Sequence, residues 1–419
     1  MPSRRTFLKL SSGLLVPASV ALTAPARADE GDERLFLVIW CNGGWDPLCT
    51  FAPLFGVDGV EHEAEAVAAE AHGVPYVSHP ERPSVDTFFE TWADRIAILN
   101  GFEVQSVAHP VATEKLFTGQ SGARRDDWTT VIAGHTNRDL TAPSVVVSGP
   151  AFVDLFSSEV VRVGASGQLP ALLTGDALSM SDLPVSGTPG ASHVDAYVKA
   201  RVAAAAEAAG SGRARVVAEG HALMLERIDE LENYAELLDW GEGGDHDFQH
   251  ELDIALTSLA SGLSRCAALQ YDGKWRLGWD THSDLSLQSD HFQYLFEHLD
   301  WLMEQLSTRT DAGGTPLSER ITVVVCSEMS RDPVVNREGG RDHWTWASAL
   351  FMGAGVQGGR VHAGFGEGME GLTVDLQSGQ AAASGETLTS HHFGATLLAM
   401  ADIDPGPWAG VDPVSAVFE

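Results

Sequence analysis

Positive charge is scarce in this chain. Only 26 Lys and Arg stand against 58 Asp and Glu, a net charge of −32. So acidic a surface repels nucleic acid and anionic lipid, which excludes a nucleic-acid-binding role, and it favours solubility. Cysteine is thin as well, with four residues and no Cys-x-x-Cys pair. That excludes a zinc ribbon, a thioredoxin-like redox site and a disulfide scaffold. Cys41 and Cys326 each close an apolar run, where a buried free thiol is expected; a Cys41–Cys49 disulfide is the alternative. Long apolar runs are missing too. The stretch Leu10–Leu22 is about 13 residues, short of the roughly 20 that a membrane span needs, and no later stretch does better, so no stable membrane insertion is expected. There is no fixed-period repeat and no low-complexity linker that would divide the chain.

What the N-terminus does have is an address. Ser3-Arg4-Arg5-Thr6-Phe7-Leu8-Lys9 leads into that short apolar stretch and then Ala26-Arg27-Ala28. A charged segment, a short apolar segment and a small-x-small cleavage site are the parts of an export signal, and the arginine pair with Phe-Leu-Lys is the twin-arginine form. Residues 1–28 are therefore expected to be removed by the twin-arginine export machinery, with the mature protein in the periplasm or secreted. No cysteine follows the cleavage site, which argues against a lipid anchor.

The rest reads as one α/β domain over 29–419. Leu35–Trp40 is a continuous apolar run ending in Asn42-Gly43-Gly44, the pattern of a buried parallel strand opening into a glycine-rich turn. Arg95–Leu99, Pro143–Val147, Lys274–Leu277, Ile321–Cys326 and Ala349–Met352 read as further strands. Helical patterns cover 195–240 with a break at Gly210-Ser211-Gly212, then His250–Leu269, Leu287–Leu306 and His391–Ala401. The helical block at about 195–245 reads as an insertion or cap. Apolar strands alternating with helices imply a mostly parallel sheet covered on both faces.

In such a sheet ligands gather outside the carboxyl ends of the strands. Trp45-Asp46 follows the first strand, Gly278-Trp279-Asp280-Thr281-His282 follows another, and Ser327-Glu328-Met329-Ser330-Arg331 follows Ile321–Cys326. Gly339-Gly340-Arg341-Asp342-His343 comes next, and His391-His392 opens the last helix. Carboxylate oxygen with imidazole nitrogen suits zinc, manganese or iron, and two metals would suit in-line displacement at a phosphate or sulfate ester. Taken singly, each pair has an ordinary reading: Asp280-x-His282 as a hydrogen-bonded turn, His391-His392 as a helix cap. Convergence is what points to a metal.

Gly278-Trp279-Asp280-Thr281-His282, Ser327-Glu328-x-x-Arg331-x-Pro333-x-x-Asn336 and Gly339-Gly340-x-Asp342-His343, in that order, resemble the domain of unknown function 1501 family. These are exported bacterial proteins, commonly twin-arginine-led, grouped with the alkaline phosphatase and sulfatase superfamily. The resemblance implies an alkaline phosphatase-like, three-layer α/β/α sandwich with a mostly parallel central sheet and a metal centre at the strand ends. It implies metal-ligand roles for Asp46, Asp280, His282 and His391 or His392, with Glu328, Asp342 and His343 as further ligand candidates. The implied cofactor is one or two divalent ions, zinc first, with manganese, calcium or iron as alternatives. Arg331 is expected to hold the anionic group of the substrate. One departure stands out. Counting back from Gly119 in His109-Pro110-Val111-Ala112-Thr113-Glu114-Lys115-Leu116-Phe117-Thr118-Gly119 puts His109 in the slot of the superfamily's Cys, Ser or Thr nucleophile, with Ser106 and Thr113 as nearby hydroxyls. The implied function is metal-dependent hydrolysis of a phosphate or sulfate ester on a small molecule or glycan. The alternative is a non-catalytic exported pseudoenzyme or binding protein.

Overall fold

The seven residues of β1, Leu35–Cys41, are all buried, and their alternation feeds two cores. Leu35, Leu37, Ile39 and Cys41 face one, while Phe36, Val38 and Trp40 face the other. A strand apolar on both sides can only sit inside a sheet covered on both faces. In the computed structural model, which describes residues 33–163, 169, 191–234 and 248–418, that is where it lies.

The other strands in chain order are β2 (Val67–Ala71) and β3 (Val74–Ser78), an antiparallel pair, then β4 (Ile96–Glu103), β5 (Ser144–Val146) and β6 (Val160–Arg162). They are followed by β7 (Cys266–Tyr271), β8 (Ile321–Cys326), β9 (Ser330–Arg331), β10 (His343–Trp344), β11 (Trp346–Gly353), β12 (Arg360–Ala363) and the antiparallel pair β13 (Thr373–Val374) and β14 (Glu386–Thr387). The central eight-stranded sheet has the order β12-β4-β11-β8-β1-β7-β5-β6. All its pairings are parallel except the two made by β11, which runs against both β8 and β4. Helices α1 (Pro83–Trp92), α2 (His109–Thr118), α3 (Trp128–Gly134), α4 (Ala191–Ala208), α5 (Arg213–Leu231), α6 (Phe248–Ala260), α7 (Ser286–Thr308) and α8 (Ser390–Met400) complete the order. Apolar side chains of α1, α6 and α7 enter one core and those of α2, α3 and α8 the other, giving the expected three layers.

Three element readings need correction. Cys266–Leu269, taken as the end of a helix His250–Leu269, belongs instead to β7, a central strand beside β1. Its Cys-Ala-Ala-Leu-Gln-Tyr sequence favours helix locally, but burial between two parallel neighbours overrides that propensity. Lys274–Arg276, read as strand, is a single 3₁₀ turn. Asn100-Gly101 does not end β4 either; the register against β11 shifts between Ala347 and Ser348, and β4 continues to Glu103.

The helical block at 195–245 is seen as α4 and α5 across its described part, separated at Gly210-Ser211-Gly212 as expected. Arg227 of α5 is buried and fastens the block: its guanidinium donates to Ser158 O at 2.8 Å and to Glu159 Oε2 at 3.0 Å. Residues 1–28, the expected export signal, lie outside the described residues. Among the described residues no helix is long and apolar enough to cross a membrane.

All four cysteines are buried and free, so Cys41 and Cys49 form no disulfide. Burial pushes each thiol well up from its ordinary value. Native protein at mild alkaline pH is expected to show no thiol reactive towards an aromatic disulfide reagent, and four after denaturation. A fast-reacting native thiol would contradict this burial.

Candidate metal centre

Because β1, β4, β7 and β8 are parallel, the segments leaving them share one edge of the sheet. The segment after β7 is pinned by Trp279, which is fully buried. Its ring meets Phe292 at 4.8 Å and Trp45 at 6.5 Å, and its Nε1 donates to Tyr271 O at 3.2 Å. Such aromatic pairs each add about 0.5–1.5 kcal/mol beyond the area they bury. The anchored tryptophan fixes its neighbour Asp280 at the surface. Gly43, after β1, has φ of 122° and lies so close that a Cβ there would be 2.7 Å from Asp280 N. No other residue fits that turn.

Asp342-His343 lies far beyond β8 in sequence, yet β9 and β10 form a hairpin that returns it. His343 pairs across the hairpin with Arg331. His109 arrives from β4 as the first residue of α2.

Three imidazoles thus meet Asp280. His343 Nε2 is 3.0 Å and His282 Nε2 3.1 Å from Asp280 Oδ1, and His109 Nε2 is 3.4 Å from Oδ2. His282 Nε2 and His343 Nε2 are 2.9 Å apart. Ligand atoms of His109, Asp280 and His343 all lie within 4.8 Å of one another. The opposite nitrogen of each ring is held from outside. His109 Nδ1 lies 2.7 Å from Glu328 Oε1, His343 Nδ1 2.7 Å from Val107 O, and His282 Nδ1 3.2 Å from Asp342 Oδ1. A carbonyl or carboxylate oxygen can only accept, so outward Nδ1–H bonds leave each Nε2 lone pair facing a bound cation; with no cation, His343 Nε2–H donates to Asp280 Oδ1 at 3.0 Å instead. His109 Nε2 is buried without a hydrogen-bond partner.

Three lone pairs and a carboxylate so disposed repel one another unless a proton or a cation sits among them. Outward Nδ1–H bonds to carboxylate or carbonyl are the usual setting of metal-binding histidines. The separations also suit zinc, whose ligand atoms at about 2.0–2.1 Å from the ion lie roughly 3.3 Å apart in a tetrahedron. The residues present therefore fit a divalent cation. The centre is open on one side, with the side chains of Asp280 and His282 45% and 40% exposed.

Electrostatics favour an ionised Asp280. Burial pushes its carboxyl up, but hydrogen bonds from His343 and Arg331 outweigh that and bring it down to about 2. The hydrogen bond to Glu328 raises His109 against the effect of its partial burial.

Several residues expected as ligands or substrate contacts are placed elsewhere. Arg331 is fully buried: it donates from Nη2 to Asp280 Oδ1 at 2.8 Å and to Trp279 O at 2.9 Å, and from Nε to Gly44 O at 2.8 Å. It also bonds the Gly43 and Arg341 carbonyls. Buried against Asp280 and four backbone carbonyls, it positions Asp280. Glu328 is fully buried and accepts from Trp40 Nε1 at 3.0 Å and Gly43 N at 3.0 Å as well as from His109, so its carboxylate orients the His109 ring. Asp342 likewise acts through His282.

Asp46 caps the turn Pro47–Cys49, accepting from Leu48 N at 3.0 Å, and its Oδ2 sits 3.0 Å from Arg341 Nε without hydrogen-bond alignment. Burial raises its carboxyl, with Arg341 opposing. It belongs to a buried ion pair, not to the imidazole cluster. His392 stands at N3 of α8, where its Nδ1 accepts from Thr389 N at 3.1 Å, and burial lowers its pKa. His391 Nδ1 meets Ala409 O at 2.9 Å. His392 serves the helix start, the ordinary reading of that pair, while His391 ties the helix to the segment at Ala409.

Sequence reasoning missed Arg341, Gln288 and Asn336 as positioning groups. Gln288 Nε2 lies 3.3, 3.0 and 3.0 Å from Gly44 O, Trp279 O and Thr281 Oγ1, and Asn336 Nδ2 donates to His282 O at 2.9 Å. Asn336 stood within the quoted motif, but nothing in its spacing announced its target.

No curated protein matches the chain. Among solved structures it resembles the integral membrane lipooligosaccharide phosphoethanolamine transferase A of Neisseria meningitidis, at 11% identity and TM-score 0.38, covering 90% of this chain and only 56% of that one. It also resembles a protein in the alkaline phosphatase superfamily from Vibrio parahaemolyticus, at 9% identity and TM-score 0.34, covering 96% and 76%. A third is the PsFucS1 sulfatase from Pseudoalteromonas sp., at 7% identity and TM-score 0.35, covering 96% and 72%. Likeness this distant carries no functional weight. The sequence itself is more specific: residues 254–406, which hold Asp280, His282, Arg331, Asp342 and His343, match the family described as "Protein of unknown function (DUF1501)".

Proposed function

We propose that His109, His282, His343 and Asp280 bind a divalent ion, zinc first, and that the protein is a metal-dependent hydrolase of phosphate or sulfate esters. Residues 1–28 would direct its export, and residues 29–419 would form its single domain. One observation carries the reading: three Nε2 atoms, each ring fixed by an acceptor at Nδ1, converge on an ionised carboxylate beside open solvent. An ion held there would supply Lewis-acid polarisation of an ester oxygen. The chain's own part is to hold the imidazoles and carboxylate rigid. Glu328, Val107 and Asp342 fix the rings, and Arg331 fixes Asp280. The test is metal content by elemental analysis on periplasmic protein, followed by turnover of p-nitrophenyl phosphate and p-nitrophenyl sulfate. Folded wild type without metal would sink the proposal.

A second reading, a binding protein without turnover, draws on the hydroxyls. Thr113 Oγ1 donates to His109 O at 2.8 Å, and Ser106 Oγ accepts from Ala108 N at 3.2 Å. Among the described residues neither is shown bonded to the cluster, and His109 keeps the nucleophile's slot. Metal-replete protein that turns over neither ester would favour this reading.

Export is tested separately. Arg4→Lys/Arg5→Lys is expected to leave unprocessed precursor in the cytoplasm; normal processing and export of that variant would contradict the twin-arginine assignment.

A further inference from the structure

The loop of residues 272–278, between β7 and Asp280, is held in a conformation that the cluster itself does not require. Gly273, Trp275, Arg276 and Gly278 take φ of 73°, 56°, 57° and 77°. For Trp and Arg that backbone is strained, and strain of this kind persists only where the surroundings impose it. Here α7 imposes it. His291, fully buried on that helix, accepts from Lys274 N at 2.9 Å through Nδ1, so its Nε2–H donates to Gly278 O at 2.9 Å. The backbone lies so tightly over this ring that a Cβ on Gly273 would be 2.6 Å from His291 Nδ1. Two ion pairs flank the turn: Lys274 Nζ with Asp290 at 2.9 Å and Arg276 with Glu251 at 3.0 Å.

What the turn presents is an indole. Trp275 is 73% exposed, the highest value among the exposed large hydrophobic side chains of the described residues. Tryptophan is a residue that folding normally covers. One face of the ring carries the Lys274 ammonium, 4.4 Å from its centroid. Trp275 precedes Asp280 by five residues, at most about 17 Å of chain, and leaves the sheet at the same edge.

We propose that Trp275 is a platform on which a pyranose ring of the substrate stacks, placing a glycan ester at the metal centre. This rests on the hydrolase reading for its ester and on the loop for its sugar. A pyranose has an apolar C–H face and a hydroxyl edge, which matches an indole set between two ion pairs. A lipid chain needs a continuous apolar groove, and both sequence neighbours of Trp275 are charged. Trp275 is a specificity residue in this assignment, and His291 positions it.

The test is isothermal titration of the metal-loaded mature chain with cello-, chito- and galacto-tetraoses, each plain, monosulfated or monophosphorylated, and with octyl sulfate. The expected result is a saccharide ester that binds wild type, weakens at least about tenfold in Trp275→Ala and stays within about threefold in Trp275→Phe. Metal content is expected to be equal in all three. Wild type that binds none of the saccharides, Trp275→Ala that binds like wild type, or Trp275-dependent binding of octyl sulfate alone each overturns the platform. Trp275-dependent saccharide binding without turnover of any ester leaves the platform standing and removes the hydrolase reading. Metal-dependent turnover of p-nitrophenyl esters without saccharide binding does the reverse.

Discussion

Asp280→Ala is expected to abolish metal binding and ester turnover together. Asp280 supplies the carboxylate around which the three Nε2 atoms gather, and its Oδ1 is the shared partner of His282, His343 and Arg331. Loss of an outward partner that only orients a ligand costs about 10–100-fold in metal affinity. Removing the shared ligand should exceed that range, while Glu328→Gln, which leaves every ligand in place, should fall within it. His343→Ala is the companion variant, since its Nδ1 holds only the Val107 carbonyl among the bonds described and its loss disturbs less of the surrounding backbone. The measurements are metal stoichiometry, metal affinity and p-nitrophenyl ester turnover, with circular dichroism to confirm folding. An Asp280→Ala protein that keeps full metal content would move the ion to other residues, and Glu328→Gln as damaging as Asp280→Ala would make Glu328 a ligand after all.

The second large effect is on stability. Arg341 and Asp46 are 1% and 0% exposed, and Arg341 also bonds the Asp332 carbonyl at 2.8 Å and the Glu61 carbonyl. Arg341→Met leaves the Asp46 carboxylate buried without its counter-charge, and breaking such a pair from one side costs about 3–5 kcal/mol. Asp46→Asn/Arg341→Met removes both charges and is expected to regain more than half of the loss. The sign with pH follows from the carboxyl. Burial already raises Asp46 in the wild type, and losing Arg341 raises it further. Below the unfolded value of about 4 the group is protonated in both states and adds no penalty. As pH rises from there towards the folded value, the unfolded state ionises first and the variant loses stability. The deficit should therefore be smallest in acid and largest near neutrality. Denaturant unfolding of the three proteins at two pH values measures this, and Arg341→Met within 1 kcal/mol of wild type at neutral pH would show that the pair contributes little.

Much of the scaffold was legible in residue order because its strands are short-range patterns. Leu35–Trp40 is apolar at every position and Ile321–Cys326 at every position but Thr322, a pattern that a strand buried on both faces requires, and Leu287–Leu306 carries a helical period that marks α7. Strand β7 was not legible, since its Ala-Leu composition is equally at home in a helix and only its neighbours β1 and β5 decide the matter. The site divides along the same line. Asp280, His282, His343 and His109 were candidates from chemistry and from their place after strands or before a helix. Which of ten candidates converge was settled by contacts between distant parts of the chain: Glu328 with His109 across 219 residues, Arg331 with Gly43 across 288, Val107 with His343 across 236. Sequence alone determined an acidic, cysteine-poor α/β chain with carboxylates and imidazoles at its strand ends. Tertiary structure decided that Arg331 holds Asp280 and Glu328 holds His109, that Asp46 pairs with Arg341 and that His392 serves a helix start. The reason is physical: a side chain's type limits what it can bind, but the acceptor or donor that occupies it first decides what it is left free to do.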